Sequence, residues 1–229
     1  MTGTTSHALS SKTAPSSGFP RKKKKQVIVV TARVHPGETV SSHVFVGFLD
    51  HLLGGSKEAY TLLDDYIFKL FPALNPDGIE CGNYRVSLSG CDLNRIWYEP
   101  QQAYHPEIFN VKQVMRDLQK ANREILVYCD MHAHSKKRNA FFYGCSTAAN
   151  GGFTSWTKVR LLPRILAKQS YMFNLKDCRF RIDPSKFGTG RVVVWSQFAV
   201  TNSFTLECSF YGYSLDGIVT TPFARESYA

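Results

Sequence analysis

Four successive apolar residues, Val27, Ile28, Val29 and Val30, follow directly on a polar stretch. A run of this kind without alternation reads as a strand buried on both faces of a largely parallel sheet. Comparable runs occupy residues 66–74, 125–129 and 141–143, and residues 203–206 read as a further strand. Between them the spacing changes to that of helices. Residues 39–53 put Val40, Val44, Phe48 and Leu52 on one stripe, and residues 107–121 do the same with Ile108, Val111, Met115 and Leu118. Weaker helical patterns cover 155–166 and 191–200. Strands alternating with helices predict an α/β fold, a mixed and mostly parallel sheet flanked by helices. Ligands in such folds gather beyond the carboxyl ends of the strands, which makes those ends the place to look for chemistry.

Residues 1–20 carry Ser, Thr, Gly and Pro but few large apolar groups, too few to repay the entropy of ordering them. The basic run Arg21 to Lys25 follows, so residues 1–25 are expected to form a flexible basic tail and residues 26–229 one domain. A hydrophobic content of 43% and an aromatic content of 13% exclude disorder throughout the chain. The formal charge of +10 stays positive without the basic run. It suits an acidic peptide, a nucleic acid or an anionic membrane equally well, and discriminates only once a site is known. Six scattered cysteines with no CxxC pair point to a reducing compartment. No apolar run approaches the roughly 20 residues that cross a bilayer, and the N-terminus has no secretory pattern. A soluble, cytoplasmic protein is expected.

Candidate chemistry sits where the strands end. His35-Pro36-Gly37-Glu38 follows the first strand, bringing an imidazole and a carboxylate out together. His, Asp and Glu suit zinc, and a catalytic zinc site takes three protein ligands. Asp130-Met131-His132-Ala133-His134-Ser135 follows the third run. His132 and His134 lie on the same side of an extended chain, so spacing permits either as the third ligand. Glu207, within Thr205-Leu206-Glu207-Cys208, stands in an apolar stretch; there it serves either as half of a buried ion pair or as a general base. Asn75-Pro76-Asp77-Gly78, Asn83-Tyr84-Arg85 and Asp92-Leu93-Asn94-Arg95 fill a loop-rich stretch, where Arg85 and Arg95 have the fork geometry that grips carboxylates.

The order HPGE, NPDG, GNYR, DLNR, DxHxHS, GTGR and TLE resembles the zinc metallocarboxypeptidases, and particularly their cytosolic carboxypeptidase branch, over about residues 26–212. The resemblance implies one Zn2+ per chain held by His35, Glu38 and His132, which settles the choice between the two histidines. It implies Glu207 as general base, Arg85 as the cation beside the developing oxyanion, and Asn94 with Arg95 as the pair binding the substrate's terminal carboxylate. Asp92 matches a carboxylate that fixes the tautomer of His35. The branch is similar to enzymes that remove glutamates from the C-terminal tails or side-chain branches of tubulin. The implied partner is therefore an acidic protein tail. A cation must then meet the acidic side chain, and Arg191 in Gly188-Thr189-Gly190-Arg191 is the first candidate, ahead of Lys186 and Arg179.

There are departures. Secreted relatives use a tyrosine shortly before the general base; none lies between Tyr171 and Tyr211, which leaves that role unassigned. Cytosolic members usually carry a β-sandwich domain before the catalytic domain and a closing helix after it. The expectation for residues 26–229 is a catalytic domain lacking both. Two competing readings are a non-catalytic binder of tubulin tails and a zinc-dependent deacylase of small amino-acid derivatives. Neither nucleic acid nor membrane is expected as a partner, since no recognition module accompanies the basic run.

Overall fold

The structure, a computed structural model, describes residues 24–146, 152–215 and 217–224. The expected tail lies outside the described residues except for Lys24 and Lys25, whose ammonium groups bond the carbonyls of Ala121 and Leu63.

The strands are β1 (Gln26–Ala32), β2 (Tyr66–Phe71), β3 (Ile125–His134), β4 (Ala140–Tyr143) and β5 (Asn202–Ser209). They form one sheet in the order β2-β1-β3-β5-β4, parallel except for β4, which runs antiparallel to β5. This is the predicted mixed, mostly parallel sheet. The helices among the described residues are α1 (Val40–Leu53), α2 (Lys57–Asp65), α3 (Pro76–Glu80), α4 (Pro106–Lys120), α5 (Gly152–Gln169) and α6 (Gly190–Phe198).

The continuous apolar run of β1 is explained by burial on both sides. Val27 and Val29 pack with Ile108, Val111 and Met115 of α4 and Val193 of α6, while Val30 and Ala32 pack with Phe45 of α1 on the opposite face. Each fully buried side chain of this size contributes about 1.5–3 kcal/mol. Near β4, Phe142 stacks on Phe204 of β5 with ring centroids 4.6 Å apart, beneath Val159 of α5.

Two elements run beyond their apolar signals. β3 continues past Cys129 to His134, because Asp130 through His134 pair residue by residue with Thr205 through Ser209 of β5. Polar residues end the hydrophobic pattern there but not the ladder. α2 is largely exposed and buries only Ala59, so no apolar stripe marks it; its start is instead fixed by Ser56, whose hydroxyl accepts the Ala59 amide proton at 3.1 Å.

A buried lysine ties the loop after Arg95 to both helices on one face. Lys112 of α4 donates to the carbonyls of Trp97 at 2.6 Å and Tyr98 at 3.0 Å and to Gln197 Oε1 at 2.8 Å. Burial lowers its pKa to about 8, and three oxygens satisfy the ammonium that the core would otherwise strand.

Candidate metal centre

The turn after β1 begins at Arg33, whose φ of 55° swings the chain off the sheet. Its guanidinium then clamps that turn, donating to the Pro36 carbonyl through Nε at 3.0 Å and Nη2 at 2.6 Å and to Ser42 Oγ at 2.8 Å. Gly37 passes so close to Tyr84 that a Cβ would lie 2.7 Å from the Tyr84 carbonyl oxygen, while its own amide donates to that oxygen at 2.8 Å. Asn75 caps α3 by accepting from the Gly78 amide at 3.1 Å and donates to the Val34 carbonyl at 3.3 Å. The Asn-Pro-Asp-Gly segment therefore braces the His-Pro-Gly-Glu turn.

These braces bring His35 and Glu38 over the end of β3, where His132 meets them. Glu38 lies between the two imidazoles, with Oε1 2.6 Å from His35 Nδ1 and Oε2 2.9 Å from His132 Nδ1. The Ala133 amide donates to the same Oε2 at 2.9 Å. One donor atom from each of His35, Glu38 and His132 lies within 4.8 Å of the others. Two imidazole nitrogens and a carboxylate oxygen, converging and almost buried, are a donor set that fits zinc. Burial alone would push Glu38 up, but the charges and hydrogen bonds of His132 and His35 hold it well below the usual carboxylate range.

Both imidazoles are held from behind. His35 Nε2 donates to Asp92 Oδ1 at 3.1 Å. The other oxygen of Asp92 accepts from Arg85 Nε at 3.0 Å and Nη2 at 2.8 Å. His132 Nε2 donates to Asp130 Oδ2 at 2.8 Å, and Asp130 Oδ1 accepts from Thr31 Oγ1 at 2.8 Å. Asp130 is fully buried. Sequence reading missed it, although a carboxylate in a strand otherwise buried on both faces was a signal of the same kind as Glu207. Asp130→Asn is expected to weaken zinc binding by about 10–100-fold, the usual cost of losing an outer partner of a ligating histidine. Competition against a chromophoric chelator measures it, and unchanged affinity in a folded variant would remove Asp130 from the site.

His134 lies outside the cluster. Its Nδ1 accepts from the amides of Lys136 at 3.1 Å and Lys137 at 3.0 Å, so it shapes the turn after β3.

A cavity of about 250 Å3 opens over the three convergent residues, lined also by Glu207, Arg85, Asn94, Arg95, Lys186 and Arg191. Glu207 stands beside His132 in the β3–β5 register. Burial, with the charges of Glu38 and Asp130 adding to it against His132, pushes Glu207 up to about 7. Asn94 Oδ1 accepts from the Gly190 amide at 2.9 Å, and the Trp97 amide donates to the Gly188 carbonyl at 3.1 Å, so the Gly-Thr-Gly-Arg segment cradles the Asp-Leu-Asn-Arg turn. A Cβ on Gly190 would lie 2.7 Å from the Tyr128 hydroxyl and 2.9 Å from the Trp97 ring. Arg191 is buried, its Nη1 bonded to the Gly144 carbonyl and to Cys145 Sγ. Arg179 is not among the cavity's lining residues; it bonds the carbonyls of Lys176 and Cys178. Tyr84 and Tyr143 both line the cavity, two tyrosines that sequence reading left without a role.

A mostly parallel sheet that presents His-Glu-His donors at its strand ends defines an α/β protein with a mononuclear metal centre. The chain belongs to the zinc carboxypeptidase family, which it matches over residues 3–212. It is 43% identical over 194 residues to cytosolic carboxypeptidase 3 of Bos taurus, covering 84% of this chain and 19% of that protein. It is 42% identical over 204 residues to cytosolic carboxypeptidase 2 of Danio rerio, covering 89% of this chain and 28% of that protein. The chain thus spans less than a third of the length of these relatives. A metallo-carboxypeptidase from Burkholderia cenocepacia shares the fold, with a TM-score of 0.77 at 22% identity over 92% of this chain and 55% of that one. No helix among the described residues is long and apolar enough to cross a membrane, and all six cysteines are free thiols.

Proposed function

We propose that this chain carries the catalytic centre of a zinc-dependent carboxypeptidase that removes C-terminal or branched glutamates from acidic protein tails such as those of tubulin, in the cytoplasm. The observation that carries the reading is the cavity's charge: four cations, Arg85, Arg95, Lys186 and Arg191, face the three metal-binding residues and Glu207. A small cavity that presents so many cations beside a general base suits a substrate bearing both a terminal carboxylate and an acidic side chain.

His35, Glu38 and His132 would hold zinc, which when bound supplies Lewis-acid polarisation and favours ionisation of a water. Glu207 takes the proton from the attacking water and afterwards returns it to the leaving amine; a carboxyl titrating near neutrality suits both transfers. Arg85 donates to the carbonyl oxygen as negative charge develops there, an interaction stronger in the transition state than in the ground state. Its Nε and Nη2 contacts with Asp92 fix the guanidinium in place without using Nη1. Asn94 and Arg95 hold the terminal carboxylate. Arg191, braced against the Gly144 carbonyl, meets the acidic side chain, with Lys186 beside it.

The reading is tested with a peptide ending in several glutamates. Free glutamate is expected from the zinc-loaded chain, lost with chelator and restored by zinc. Release of neutral C-terminal residues at an equal rate would remove the acidic specificity, and no release from a folded, zinc-loaded sample would remove the reading itself.

A further inference from the structure

A second and larger cavity, of about 1220 Å3, adjoins the metal centre and has no part in the chemistry above. Two stretches of chain join them. His134 and Ser135 line the site cavity while Lys136 and Lys137 line the larger one, and Phe210 gives way to Tyr211 in the same manner. Among the described residues, four cations, Lys136, Lys137, Arg138 and Lys176, line this groove against one carboxylate, Asp177. Asp177 is already paired with Lys137 at 3.0 Å, and Arg138 Nη1 donates to the Gly217 carbonyl at 2.9 Å. Lys136 and Lys176 are exposed, and among the described residues neither ammonium has a hydrogen-bond or ion-pair partner.

The wall carrying these charges is fixed. Besides the His134 bonds to its turn, the Asn139 amide donates to the Gly212 carbonyl at 2.9 Å and the Ser209 amide donates to the Asn139 carbonyl at 3.1 Å. The exposed rings of Tyr171 and Tyr211 add flat surface and hydroxyl groups suited to an extended backbone.

We propose that this groove docks the acidic residues that precede the cleaved terminus of a polypeptide substrate. The inference rests on the proposed function: a chain whose last residue lies at the metal centre must leave the cavity across one of its rims, and the rim formed by residues 135–137 opens on unpaired positive charge. Opposite charges across an interface raise encounter rates and select partners, and exposed ones do so in a salt-dependent way.

The experiment uses three substrates of the zinc-loaded full chain that share a terminal glutamate: a blocked dipeptide, a long peptide with glutamates upstream, and the same peptide with glutamines upstream. The double variant Lys136→Glu/Lys176→Glu is expected to raise KM about tenfold for the acidic long peptide, leaving the dipeptide unchanged, with the parent's preference for the acidic peptide fading in salt. Equal KM values for the two long peptides on the parent chain would overturn the proposal. Binding of an amidated, fluorescent oligoglutamate peptide is followed by anisotropy as a separate arm, since it needs no cleavage. If the dipeptide is not cut yet this peptide binds and the double variant weakens it, the groove stands and the enzymatic reading falls. An oligonucleotide that binds at the same residues more tightly than oligoglutamate would overturn the acidic-polypeptide assignment.

Discussion

Glu207→Gln is expected to lower kcat by about 10²–10⁴-fold with little change in KM, the range that a positioned general base contributes. Glutamine keeps the shape and the polarity of the side chain but cannot take a proton, and none of the three metal-binding residues is touched. Zinc content should therefore match the parent. The pH profile carries the sign of the effect. As the proposed general base Glu207 would act as the carboxylate, and burial pushes it up to about 7, so the rate of the parent is expected to fall as pH drops through the group's pKa. A cation bound nearby favours the carboxylate and moves that limb to lower pH. In the variant the limb is absent. A variant retaining more than about a tenth of parental kcat would assign the proton to another group, and Tyr143, which also lines the cavity, would be examined next.

Glu38→Gln is expected to abolish stoichiometric zinc binding and with it all activity. Glu38 is the one anionic donor of the cluster, and its two oxygens face both imidazoles at 2.6 and 2.9 Å. Losing it should cost more than the 10–100-fold typical of an outer partner. Dialysis followed by metal analysis reads the loss directly, and recovery of activity only at high added zinc would show weakened affinity instead. Stability gives an independent reading. A carboxylate held below its ordinary pKa contributes stability above the unfolded value, about 4.3, and loses that contribution as pH falls further. The zinc-free variant should therefore be less stable than the zinc-free parent at pH 7, with the gap closing in acid. A gap that widened in acid would mean that folding raises the Glu38 pKa instead of lowering it.

The sequence was most informative where a residue's neighbours in the chain were also its neighbours in space. The buried strands, the stripes of α1 and α4, and the His-Pro-Gly-Glu turn all have that character. It was least informative where partners came from afar. Asp130 is explained by Thr31, which the β1–β3 register sets opposite it. The Gly-Thr-Gly-Arg segment makes sense only beside Asn94 and Trp97, some 90 residues earlier. His134 had the same spacing argument as His132, and the two are told apart by the turn that folds back onto one of them. The extent of β3 and β5 was hidden for a related reason: their last residues are polar because they form the site, and a polar residue in a strand looks locally like the strand's end.

The pairing of His132 with Glu207 has a further consequence. A parallel ladder joins the two residues, and a slip of one position would turn one of the side chains to the other side of the sheet. The spacing between metal and base therefore has no gradual way to fail: either the rungs are matched and both groups face the cavity, or they are mismatched and they do not. In a damaged or partly refolded sample, turnover per competent molecule should stay constant while the number of competent molecules falls. Titration with a tight inhibitor would then count correctly zipped sheets, making the proposed chemistry a gauge of strand alignment.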